Sequence, residues 1–303
     1  MYQFCVSCLK PVKRVFPCLT CSSVIYCSPG CRSSAGSSFH RCVLRVLLTL
    51  VLTLITRYQC QFNLYHYRQE DTEDAFNIFM TLQALWQKPP SFFFDNWTRD
   101  GVELVGKVDL EYQRFWNMVT HHETRTEKSF LKIIIISVFL LRCNRMTSYL
   151  VDGDAGRTEA RSTDDLMKDV VLVRPDEEMT EDDIFIGQII AQIFMVQDSN
   201  SHPVFRMDCS TGRNQAGLEC IGSGVYPVIG AFFNHSCRPN TLRVNIGKTN
   251  YLISSSTIKA GEEVADTYSM HFSEINRSGR RDWLNKNFHF ICNCLVSIFN
   301  HLL

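Results

Sequence analysis

Hydrophobic and polar positions divide this chain into stretches of different period. Residues 1–42 are rich in cysteine and turn residues and carry no sustained apolar repeat, so something other than a hydrophobic core must hold them. Residues 43–150 read as helical, with apolar runs at Val46–Ile55 and Ile133–Leu141, helical spacing from Glu73 to Leu85, and a helix over Lys128–Tyr149. Residues 151–183 are polar and acidic, which predicts a surface loop with one short helix around Leu166–Val171. Thr180 followed by Asp183 resembles a capping box. It opens a helix that places Ile186, Ile189, Ile190 and Ile193 on one face. From about Val204 the period shortens. Thr241–Ile246 and Tyr251–Ile258 are β-prone runs joined by Gly247-Lys248-Thr249-Asn250, which reads as a hairpin, and Lys259-Ala260-Gly261-Glu262 reads as a turn. A last helix is expected over Arg277–Asn287. Runs of helix followed by runs of strand make the fold class α+β.

Charge and cysteine content narrow the possibilities. The net charge of the 303 residues is zero, so attraction of the whole molecule to nucleic acid is not indicated. The apolar runs are shorter than the ~20 residues a membrane span needs, and they predict buried core helices and no membrane partner. No stretch before Cys5 has the form of a secretory signal, which leads us to expect a cytoplasmic or nuclear protein, or both. In a reducing compartment the 14 cysteines, where clustered, read as metal ligands. The isolated Cys60, Cys143, Cys209 and Cys220 read as small buried residues.

The first cluster runs Cys5-x2-Cys8, Cys18-x2-Cys21, Cys27-x3-Cys31, then His40-x-Cys42. Eight soft donors suffice for two tetrahedral zinc ions, and a module of this size needs the metal in order to fold. The order, including Tyr26-Cys27-Ser28, resembles the MYND zinc finger. That resemblance implies interleaved sites, one of Cys5, Cys8, Cys27 and Cys31 and the other of Cys18, Cys21, His40 and Cys42, on a finger that docks a protein partner. The family usually ends His-x3-Cys, so the His40-x-Cys42 spacing departs from it. Residues 1–69 hold eight Lys or Arg and no Asp or Glu. These cations either offset the thiolate charge or form a basic surface for an acidic partner.

The second motif is Asn234-His235-Ser236-Cys237-Arg238-Pro239-Asn240, followed by Gly261-Glu262-Glu263, Tyr268 and Phe290-Ile291-Cys292-Asn293-Cys294. This ordered set resembles SET-domain lysine methyltransferases and, with the finger upstream, the SET-and-MYND family. The resemblance implies a MYND finger over 1–42 and a helical insertion over 43–183 with its acidic loop at 151–183. It further implies the C-terminal part of the SET β fold over 184–276 and a post-SET segment over 277–303. The implied activity is methyl transfer from S-adenosylmethionine to a lysine of a histone or another protein. Tyr268 would be catalytic, orienting amine and methyl group. Asn200, Asn234, His235 and Phe290 would face the cofactor, with Phe288 and Phe290 also walling the lysine channel. Cys237, Cys292 and Cys294 would supply three thiolates of a further zinc site. The family's fourth cysteine falls on Ser297, which leaves His301 or water as the sequence's substitutes.

Family members carry the first part of the SET domain, with a Gly-x-Gly turn against the cofactor, ahead of the finger. Here only four residues precede Cys5, so a fragment holding half a cofactor site is expected. The alternative is a catalytically inactive zinc scaffold for protein interactions.

Overall fold

The computed structural model describes residues 4–19, 24–37, 77, 78, 80–99, 103–145, 178–208, 217–227, 232–268, 272, 273 and 275–299, without the side chains at 37, 143 and 205–222. The expectations for Val46–Ile55, for the acidic stretch through residue 177 and for Cys60, Cys143, Cys209 and Cys220 lie outside what is described. The chain divides into two compact units, residues 1–109 with 126–198, and residues 110–125 with 199–303.

The first unit begins with the cysteine-rich module. Strands β1 (Phe16–Pro17) and β2 (Ile25–Tyr26) pair antiparallel, and helix α1 (Pro29–Ser37) follows. Ser28 starts that helix, its Oγ accepting the Cys31 N–H at 3.1 Å, and Pro29 supplies the preset φ of the first helical position. Among the described residues its buried centre is Cys5, Val24, Tyr26 and Ala35, too little to hold such a module by apolar burial alone.

The rest of the unit is helical, with helical residues at 77, 78 and 80–85, then α2 (Pro90–Asn96), α4 (Glu127–Arg145) and α5 (Glu181–Asn200). Ile186, Ile189, Ile190 and Ile193 of α5 are all buried, as their spacing requires. Thr180 and Asp183 cap one another's backbone. The Thr180 N–H reaches Asp183 Oδ2 at 2.8 Å and the Asp183 N–H reaches Thr180 Oγ1 at 3.2 Å. Asp183 also receives Arg145, from Nε to Oδ1 at 2.7 Å and from Nη2 to Oδ2. Burial pushes the Asp183 carboxyl up, but the bonds from Arg145 and Thr180 outweigh it and hold the group below its ordinary value. Several polar side chains enter the core in pairs, as with Trp86 Nε1 to Asn144 Oδ1 at 2.6 Å and Thr81 Oγ1 to Gln197 Oε1 at 2.8 Å.

The Ile133–Leu141 run corrects one expectation. Ile133, Leu140 and Leu141 are buried, but Leu131, Ile134 and Ile135 are more than half exposed, so α4 is a one-sided helix and not a fully buried one. A continuous apolar run carries no period, and packing on one side decides which face is covered.

The second unit holds helix α3 (Leu110–Trp116) and the strands. β3 (His202–Asp208) pairs antiparallel with β4 (Gly217–Gly224), with an irregularity between Val204 and Phe205. β5 (Asn234–His235) pairs parallel with β8 (Ala265–Asp266), and β6 (Thr241–Ile246) pairs antiparallel with β7 (Thr249–Ser254). The hairpin turn is therefore only Gly247-Lys248, tighter than the four residues expected, and Gly247 takes the positive φ of 61° that a two-residue turn demands. The Gly261 turn forms as read, with φ 84° and the Glu262 N–H on the Lys259 carbonyl at 3.0 Å. Helix α6 (Arg277–Phe288) is capped by Asn276, whose side chain accepts the Gly279 N–H at 2.9 Å. A final turn, α7 (Leu295–Ile298), follows Cys294.

Candidate functional site

The parallel β5–β8 pair brings the two halves of the second motif together. His235 lies opposite Asp266, and the Ser236 N–H reaches the Asp266 carbonyl at 2.8 Å. Asn240 ties the same strands, its Nδ2 donating to the Glu263 carbonyl and its Oδ1 accepting the Ala265 N–H, at 2.9 and 2.8 Å. Asn234 Nδ2 reaches Glu263 Oε1 at 2.9 Å. The Asn-His septet and the Gly-Glu-Glu turn are thus one hydrogen-bonded unit, and Tyr268 emerges two residues beyond it.

The Tyr268 backbone N–H donates to His235 Nδ1 at 3.0 Å, and the Tyr268 hydroxyl donates to the Phe233 carbonyl at 2.5 Å. With its proton committed, that oxygen keeps its lone pairs for an incoming donor. Burial, with the nearby Asp266 and Glu263 carboxylates, pushes the phenol up, against an opposing pull from Arg243. The group stays a neutral phenol at physiological pH. Aromatic rings surround it, with Phe288 at 5.0 Å between centroids, His235 at 5.5 Å and Phe290 at 6.3 Å and edge-on. Phe290 also lies 5.9 Å from His235.

Both ring nitrogens of His235 are used inside the chain. Nδ1 accepts the Tyr268 amide and Nε2 faces Cys237 Sγ at 3.3 Å. The ring face and the backbone are what remain for a ligand. Asn200 is the last residue of α5, and its Nδ2 donates to the Val119 carbonyl at 2.7 Å.

Three other residues here, His202, Arg243 and Asp266, carried no signal in the sequence. His202 stands 6.3 Å from Tyr226 and 6.5 Å from Tyr268 between ring centroids. Burial, helped by the Arg243 guanidinium, lowers it to about 3 and keeps it neutral. Arg243 pairs with the buried Asp266 through Nε at 2.9 Å and through Nη2, while its Nη1 is enclosed without a hydrogen-bond partner. These residues lie in separate strands and form no local motif.

Thiol clusters occupy both units. The sulfurs of Cys5, Cys8, Cys27 and Cys31 all lie within 4.8 Å of one another, with Cys8–Cys27 and Cys27–Cys31 each at 3.6 Å. Four thiolates around zinc at about 2.3 Å stand roughly 3.8 Å apart, so this donor set fits a zinc ion. Burial pushes Cys8 up to about 12, and the Ser28 hydroxyl brings Cys31 down to about 7. Sulfurs this close do not ionise together without a cation among them. Cys18 is described outside this cluster, and Cys21, His40 and Cys42 lie outside the described residues.

In the second unit Cys237 and Cys292 stand 3.8 Å apart, and the backbone N–H of Cys237 points at Cys294 Sγ at 3.4 Å. Ser297 Oγ is 3.3 Å from Cys237 Sγ and 3.6 Å from Cys294 Sγ, and Ser297 is fully buried. The buried Arg280 donates from Nε to Cys237 Sγ at 3.4 Å and offsets the charge of the cluster. His301 lies outside the described residues.

A family model for the SET domain matches residues 53–269. The chain belongs to the SET-domain family. Proteins named protein-lysine N-methyltransferase SMYD4 from Pongo abelii and Mus musculus are 23% and 22% identical to it, over 96% of this chain and 38% of their own length. A SET and MYND domain-containing protein of Dictyostelium discoideum is 35% identical over 26% of this chain and 14% of its own. These likenesses place the SET-domain chain in the SET-and-MYND group. The chain spans well under half the length of the SMYD4 relatives it matches. Among the described residues, no helix is long and apolar enough to cross a membrane.

Proposed function

We propose that this chain carries the lysine-facing part of an S-adenosylmethionine-dependent protein-lysine methyltransferase, with a zinc finger at residues 1–42 that docks a protein partner. The observation that carries the reading is the Tyr268 hydroxyl. Its proton is held by the Phe233 carbonyl, and the ring that carries it lies among Phe288, Phe290 and His235. When bound, the cofactor supplies an electrophilic methyl group. The chain's own part is to present an amine to it in line and without water. Loss of water around the buried amine favours its neutral form, which alone has the lone pair that attacks. Tyr268 Oη accepts an N–H of that amine and fixes its direction. His235 holds the Tyr268 backbone, while Asn234 and Asn200 would, by the resemblance, contact the cofactor.

Methyl transfer from labelled S-adenosylmethionine to histones or to an extract of cellular proteins tests this. Tyr268→Phe should lower kcat by about 100-fold or more, as the loss of a hydrogen bond aimed at a reacting group does, while cofactor affinity changes little. A Tyr268→Phe protein with unchanged turnover removes Tyr268 from the chemistry.

A further inference from the structure

The cluster of Cys237, Cys292 and Cys294 poses a question of ligand count, because a structural zinc site needs four donors and only three thiols are present. Among the described residues, two side chains reach the open corner. Ser297 Oγ contacts the sulfurs of Cys237 and Cys294, and its hydroxyl also bears on Cys292. The His235 imidazole lies within 4.8 Å of the sulfurs of Cys237 and Cys292.

Hydrogen-bond direction separates them. A backbone N–H can only donate, so His235 Nδ1, which takes the Tyr268 amide, must be the unprotonated nitrogen. The ring proton then sits on Nε2, which donates to Cys237 Sγ and has no lone pair left for a metal. The serine hydroxyl has lone pairs. A sulfur and an oxygen bound to one tetrahedral zinc, at about 2.3 and about 2.1 Å, stand roughly 3.6 Å apart. The Ser297 distances of 3.3 and 3.6 Å match that edge, and the 3.8 Å between Cys237 and Cys292 matches the sulfur–sulfur edge. Water is a poorer candidate, since Ser297 fills the corner and is fully buried.

We propose that Ser297 Oγ is the fourth ligand, making this a site of three thiolates and one neutral oxygen whose zinc exchanges far faster than zinc held by four thiolates. Three thiolates leave the site one negative charge against two for four, and the Arg280 guanidinium on Cys237 Sγ matches that single charge. The inference concerns the thiol cluster of the second unit and depends neither on the finger at residues 1–42 nor on methyl transfer. Because His235 links Cys237 to the Tyr268 backbone, metal at this site also bears on the ring that sits in the candidate active site.

The test uses the full 303-residue chain, loaded with zinc and challenged with a chelator while a metallochromic dye follows release. A fast phase is expected, and Cys292→Ser should abolish it without touching the slower release. Refilling that fast site with cobalt should give charge-transfer absorption of three thiolates. Ser297→Cys should add a fourth thiolate and slow the phase by about 10- to 100-fold, at least what the loss of a supporting contact commands elsewhere. Ser297→Ala should speed it. The proposal falls if wild-type cobalt absorption corresponds to four thiolates, or if the cluster takes no metal. It also falls if His235→Gln releases the metal while Ser297→Ala does not. Should Ser297→Cys fail to fold, the wild-type cobalt spectrum and Ser297→Ala still decide. None of these readouts is turnover, so an inactive enzyme with an exchangeable metal stays distinguishable from a wrong ligand.

Discussion

Arg243 and Asp266 meet across 23 positions of sequence, and Asp266 is only 2% exposed. A buried carboxylate is tolerable here because a guanidinium and the Thr267 N–H share its charge, the latter at 2.8 Å from Oδ1. Arg243→Met keeps the bulk and removes the charge, leaving Asp266 unpaired among buried groups. That change should cost about 3–5 kcal/mol, read as a lower denaturant midpoint with unchanged slope. Because Asp266 sits on the strand that delivers Tyr268, the same variant should show altered near-ultraviolet signals from the aromatic cluster before it unfolds. A midpoint within experimental scatter of wild type means that the pair is solvated and adds nothing.

Helix α5 shows how an element is fixed at its start. Its buried isoleucines supply packing, but its first turn is set by the reciprocal Thr180–Asp183 bonds and by Arg145 on the Asp183 carboxylate. Thr180→Ala removes one acceptor for a first-turn N–H and should cost about 1 kcal/mol, with faster hydrogen exchange confined to the start of the helix. Exchange that rises uniformly along α5 would instead make Thr180 part of the general packing. This cap was legible in the sequence because its partners are three residues apart. The one-sided burial of α4 was not legible, since an unbroken isoleucine run looks the same whether one face or both are covered.

At the scale of the molecule, the two units respond to acid in different windows. In the second unit His202 faces Arg243, Tyr226 and Tyr268, and its folded value of about 3 lies below the ordinary 6.5. The unfolded chain therefore binds a proton that the folded unit refuses. Stability present above about 6.5 is lost as pH falls, reaching about 2 kcal/mol at pH 5. In the first unit Asp183 is held below 3.8, so its contribution persists until pH falls below that value. Acid should loosen the second unit first. His202→Phe should flatten its stability between pH 6.5 and 4 while leaving the first unit's acid transition in place, as followed by hydrogen exchange of each unit. Coincident loss of both units in wild type and variant alike would contradict this. What the sequence determined by itself was local or motif-borne. The set Cys5, Cys8, Cys27 and Cys31 that the MYND resemblance implies does come together, the Gly247 and Gly261 turns need positive φ, and the ordered Asn-His, Gly-Glu-Glu and Tyr268 set marks the SET domain. Only the tertiary structure decided that both nitrogens of His235 are spent within the chain, that Arg243 neutralises Asp266, and that Ser297 stands at the open corner of three thiols. Turns and caps depend on neighbours a few residues away. Those other contacts join residues that are far apart in sequence or whose roles depend on such partners, and their energies exist only once strand pairing has removed water from between them.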